Sequence, residues 1–211
     1  MSSYQTEQID ALTLVTARLD ALADTERLAL EKLTADYLVF RREVEEFLSA
    51  NFSQVCTETC YQSRLSACCS REGIITFFGD IVVNVTYSDV SELEKLLAVL
   101  RNPNPGFKCV YLSEQGCLWR IKPIVCQMFL CDRAKEMVFE ENYRLQTEWE
   151  LLEQKRKWFT WPDRPVLFDA LEAYFINMGC RSPLMYLHNS PGLLRVKEKS
   201  RKHHGPVQQP R

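Results

Sequence analysis

A mainly helical protein with one small β hairpin and a cysteine-rich core (α+β) is the fold class this sequence predicts. Three observations predict it. Two long segments lack Pro and Gly and repeat their apolar residues at helical spacing. One short stretch carries β-branched and aromatic residues about a Gly-Asp pair. Eight of the nine cysteines fall into two groups of four.

The first helical segment runs over residues 6–48. Ile9, Ala23, Leu30, Tyr37 and Val44 recur every seven residues on one register, and Leu12, Leu19, Leu33, Phe40 and Phe47 on the other; only Thr16 and Glu26 interrupt them. One continuous helix of this length spans on the order of 60 Å. It must pair with another helix of the chain or form a coiled coil with a second copy. Its charges, Arg41 and Arg42 among them, read as a solvated face laced with local ion pairs. The second helical segment, residues 132–159, carries Met137, Val138, Tyr143, Leu145, Trp149, Leu152 and Trp158 as a core-facing stripe. The two long helices are expected to flank the core, packed as an antiparallel helical hairpin.

Between them lie shorter elements. Residues 73–86, GIITFFGDIVVNVT, read as two strands about a Gly79-Asp80 turn. Residues 88–100 read as a helix with Ser88 or Asp89 as N-cap, Glu92 standing three residues after Asp89 as in a capping box, ended by the Pro-rich 102–106 segment. A helix over 166–178 is stopped by Gly179. The organisation that follows is an N-terminal helix over 1–50, a cysteine-cluster core with the hairpin over 51–135, a helical region over 136–194, and a basic, disordered tail over 195–211.

Composition narrows the function classes. A net charge of −2 gives no general reason to expect nucleic acid or an anionic membrane as partner. No run approaches the ~18 apolar residues of a membrane helix. The first twelve residues show neither a basic nor an apolar region of a secretory signal. A cytoplasmic setting is therefore expected, where thiols stay reduced, and nine cysteines there point to metal ligation or redox chemistry rather than disulfides.

The spacing is Cys56-x3-Cys60-x7-Cys68-Cys69, then Cys109-x7-Cys117-x8-Cys126-x4-Cys131. Thiolate is the ligating form, and clustered thiols stay deprotonated near neutral pH only when a cation compensates them. Zinc takes four such ligands tetrahedrally, and iron–sulfur clusters use the same donors. Eight thiols allow two four-thiolate sites, or one shared site with cysteines left over. Lys108, Arg120, Lys122 and Arg133 either offset the thiolate charge or are simply exposed. Cys180, outside both groups, reads as a lone buried thiol. No pattern of nucleophile and base names a catalytic residue, and seven scattered glycines form no phosphate loop.

The run GCLWRIKPIVCQMFLC, with Cys109 ahead of it, resembles the second half of the YkgJ-type cysteine-cluster family, a zinc- or iron-chelating domain. Gly116-Cys117, Trp119, Lys122-Pro123 and the closing Cys126-x4-Cys131 carry the resemblance, and Cys68-Cys69 resembles the family's Cys-Cys pair. Lys122, Gln127 and Leu130 depart from the usual residues, and the Cys56/Cys60 lead-in is loosened. Over residues 56–135 the resemblance implies metal binding, with zinc or an iron–sulfur cluster as cofactor and no assigned reaction. A related cysteine pattern in flagellin lysine-N-methylases keeps an iron–sulfur redox or methyl-transfer enzyme as an alternative. A coiled-coil interaction protein with a structural metal core is another. The partners expected are a metal ion and a protein or second copy along the N-terminal helix, with no membrane and no nucleic acid.

Overall fold

The computed structural model describes residues 3–62, 76–103, 109–140, 142–160 and 166–186. In chain order these form α1 (Ser3–Asp20), α2 (Asp24–Ser53), a π-helix, π1 (Gln54–Tyr61), α3 (Phe78–Tyr87), α4 (Val90–Arg101), β1 (Leu112–Ser113), β2 (Gly116–Cys117), α5 (Ile124–Gln127), α6 (Asp132–Phe139), α7 (Tyr143–Thr160) and α8 (Leu167–Asn177). Helices dominate, with one short antiparallel strand pair among the described residues. Three elements differ from the sequence expectation.

The N-terminal segment is two helices. Glu26, which interrupts the apolar register, opens α2: its Oε2 accepts the Ala23 N–H at 3.1 Å. Arg27 donates to the Leu19 carbonyl at 2.6 Å and so closes the end of α1. The chain turns at residues 21–23, and the apolar positions serve two faces with different partners. Ala11, Leu12, Val15 and Leu19 are buried where α1 meets α3 and α4. Leu30, Tyr37, Phe40 and Val44 are buried in α2, which packs on α6 and α7. The expected coiled-coil seam is thus occupied within the chain.

The expected hairpin over 73–86 is helix α3 in its described part. Every residue from Phe78 to Val85 is buried. A helix enclosed on all sides loses its amphipathic period, so its apolar run cannot be told from a buried strand. Gly79 is no turn residue. It lets α3 approach α8 so closely that an added Cβ would lie 2.5 Å from Cγ of Phe168. Asp80 accepts the Phe77 N–H at 3.0 Å and opens the helix. The observed hairpin lies instead in the cysteine stretch, pairing Leu112 with Cys117 and Ser113 with Gly116. Gly116, at φ +108, supplies a backbone conformation that L-residues rarely adopt, immediately before Cys117.

Residues 132–159 also break in two. Asn142 accepts the Leu145 N–H at 3.3 Å and restarts the helix as α7. Only part of the expected stripe is core: Trp149 is buried, while Met137, Tyr143 and Trp158 are exposed, because the break separates the faces of α6 and α7.

The antiparallel pairing of the two long segments is nevertheless visible in ring contacts. Phe159 meets Tyr37 and Phe40, Lys155 donates to Glu43 at 2.8 Å, Trp149 stacks on Phe47, and Phe139 meets Phe52 edge-on. Of the two candidate caps Asp89 serves, and its box with Glu92 forms through reciprocal bonds of 2.9 Å; Gly179 follows α8. The 195–211 tail lies outside the described residues.

The Gly79 contact is directly testable. Gly79→Ala is expected to destabilise the fold by about 1–3 kcal/mol through overpacking, read as a lower urea midpoint with an unchanged slope. Combined with Phe168→Ala it should cost clearly less than the sum of the two single changes.

Candidate metal centre

The site is built on the loop joining the hairpin to α5, and buried polar groups hold that loop. Asn84 of α3 accepts the Ile121 N–H at 3.0 Å. One helical turn earlier, Asp80 accepts the Ile124 N–H at 2.9 Å. The Arg41 guanidinium donates through Nη2 to the Lys122 carbonyl and through Nη1 to the Tyr37 hydroxyl, and lies over the Tyr37 ring. Pro123, buried and lacking an N–H, occupies the position before α5.

Arg41 is 5% exposed and Asp80 3%. Arg41 is therefore not the solvated charge its neighbours suggested. Burial pushes the Asp80 carboxyl up to about 6 from an ordinary 3.8, against the opposing pull of Arg41 and two backbone donors.

With the loop fixed, four thiols meet one pocket of about 550 Å³. Cys56 comes from π1, Cys117 from β2, Cys126 from α5, and Cys131 from the residue before α6. Phe52, Leu48, Leu112 and Leu130 give the pocket much of its apolar wall, and Lys122 and Glu45 add one charge of each sign. The eight-residue π1 continues α2 directly; such segments recur at functional sites.

Cys109 is buried and does not line the pocket. It shares its surroundings with two of the four, since the electrostatics of Tyr111 couple to Cys109 and Cys117, and those of Tyr4 to Cys109 and Cys126. Burial first, and these thiols in the same sense, push the Tyr4 phenol up to about 12 and the Tyr111 phenol higher still. Tyr111 donates to Gln8 of α1 at 3.1 Å and meets Trp119 edge-on. The start of α1 therefore backs the cysteine stretch.

Cys56, Cys117, Cys126 and Cys131 thus line one pocket, and Cys109 is buried outside its lining. Cys68, Cys69 and the Cys60 side chain fall outside the described residues, as does Lys108. No disulfide joins any two described cysteines. Among the described residues no three Cys, His, Asp or Glu donors already form a group able to hold a metal ion. The donor type nonetheless fits a thiophilic metal: the described cysteines at the pocket are thiols in an apolar setting. Cys180 is buried and does not line this pocket. Arg120 is exposed and pairs with Glu92 at 3.3 Å, and Arg133 is exposed.

The sequence reading missed Arg41, Asp80, Asn84, Tyr4 and Tyr111. A charged residue four positions after a tyrosine in an apolar register (Tyr37, Arg41) and two polar residues four apart in an apolar run (Asp80, Asn84) were the only local signals. Comparison with family models, with curated proteins and with solved structures finds no match to this chain.

Two outcomes check the loop anchor. Asp80→Ala leaves the Phe77 and Ile124 N–H groups without their acceptor and the buried Arg41 without a nearby opposite charge, and is expected to cost about 2–4 kcal/mol in urea unfolding. The pH dependence has a definite sign. Because the folded-state value lies above the unfolded one, the carboxyl favours the folded form most below about pH 4, and that contribution is lost as pH rises towards about 6. In Asp80→Asn this component should vanish, so the stability difference between variant and wild type changes across that window and is flat above it.

Proposed function

We infer that this chain is a metal-binding protein whose cysteines hold zinc or an iron–sulfur centre. One observation carries the reading: Cys56, Cys117, Cys126 and Cys131, supplied by separate elements, line a single largely apolar pocket. An apolar wall disfavours thiolates, so a cation is what makes such a gathering stable near neutral pH.

Cys56, Cys117, Cys126 and Cys131 are the first candidates for ligands. Cys109, Cys60, Cys68 and Cys69 complete the eight-thiol set. Bound zinc would tie π1, the hairpin and α5 together, and an iron–sulfur cluster would add electron transfer. The clamp of Arg41, Asp80 and Asn84 holds the loop between two of these cysteines, and the Lys122 ammonium supplies positive charge at the rim. The resemblance of residues 56–135 to the YkgJ-type cysteine-cluster family supports the same reading, and a reducing, cytoplasmic setting suits it.

Metal analysis and an absorption spectrum on anaerobically purified protein test this. Stoichiometric zinc without colour, or iron with visible bands that bleach on reduction, is the expected result. Cys117→Ser and Cys126→Ser should each lower the metal content, and chelation should lower the melting temperature. A protein that carries no metal and melts identically with and without chelator would sink the proposal.

A further inference from the structure

A second cavity, about 700 Å³, opens between the outward face of α2 and residues 120–122. Its lining is unusual for a chain of net charge −2: Arg41, Arg42, Arg120 and Lys122 face two carboxylates, Glu31 and Glu45. Arg41 lies beneath, and its bond to the Lys122 carbonyl sets the loop that carries Arg120 and Lys122. Arg42 and Lys122 are exposed and form no ion pair among the described residues. Arg120 pairs with Glu92 across solvent, with half its side chain exposed, an interaction worth too little to prevent exchange for another anion.

Next to these cations the cavity presents Leu38, Val39 and Ile121; Val39 remains 43% exposed. Guanidinium forks suit oxyanions, which they bind through paired, charge-assisted bonds. The volume is that of a small-molecule site.

We propose that this cleft binds a small amphiphilic oxyanion, its carboxylate or phosphate group held by Arg42, Arg120 and Lys122 and its apolar body laid against Leu38, Val39 and Ile121. The site adjoins the thiol pocket, because Glu45, Lys122 and Gln127 line both cavities. It does not rest on the metal reading, since none of its binding groups is a cysteine.

Isothermal titration of the full chain with phenyl phosphate, hexanoate and inorganic phosphate tests the site. Saturable binding of an organic anion is expected, weakening as salt rises. It should be at least about tenfold weaker in the Arg42→Gln/Arg120→Gln double variant, as loss of charged hydrogen bonds predicts, and unchanged in Arg144→Gln on α7. Failure of both organic anions to saturate, or binding that the double variant leaves untouched, overturns the proposal. Inorganic phosphate binding as tightly as phenyl phosphate overturns the role given to the apolar wall. The replaced side chains are exposed, and circular dichroism checks that the fold is kept. Metal content measured on the same variant reports on the thiol centre separately, so either reading can fail while the other stands.

Discussion

The opposed charges of Arg41 and Asp80, both taken out of water, are the constraint on which the cysteine region depends. Each is held by its own hydrogen bonds and feels the other's charge, and between them they tie α2 and α3 to the loop ahead of α5. Buried charges are weak evidence for stability as such. Their better-attested use is to fix one arrangement among several, and here the arrangement fixed is the backbone of residues 121–124. Asn84 adds a neutral bond to the same segment, so three successive attachment points remove the freedom of a loop that local sequence leaves open.

The rest of the molecule arranges itself around α3. It is covered by α1 on one side and α8 on another, and Tyr37 of α2 reaches Phe168 of α8 edge-on at 5.5 Å. The result is a scaffold in which the hairpin, α5 and π1 hang from helices, of which α2, α7 and α8 meet through aromatic rings. Aromatic rings bury large areas with few rotatable bonds. A framework of that kind positions its loops tightly.

What could be read in the sequence was what is decided within a few residues. Asp89 and Glu92 satisfy each other, and their box needs no knowledge of the rest of the chain. The clustering of cysteines was equally plain, because spacing alone carries it. Ile81, Val82 and Val83 misled for a physical reason: strand preference in β-branched residues reflects packing on a half-buried surface, and complete enclosure removes that advantage. Glu26 misled in the opposite way, as an apparent flaw in a seam that is in fact the start of a new helix. Arg41 was barely legible, its spacing from Tyr37 being the one local sign. Adjacent Arg42 has the same chemistry, and only the depth of the neighbouring helices separates the buried guanidinium from the exposed one.

The contact between Gly79 and Phe168 has a consequence for biosynthesis. The central helix emerges from the ribosome long before the helix that covers it, and at roughly 5–20 residues per second the delay is on the order of 5–20 s. During that interval α3 cannot complete its burial, and the cysteine segment, which is translated inside the same window, lacks its finished support. The nascent thiols therefore spend seconds accessible to cellular metal ions and oxidants before the C-terminal helices close the structure. A chain built this way leaves its cysteines uncovered while it is still being made.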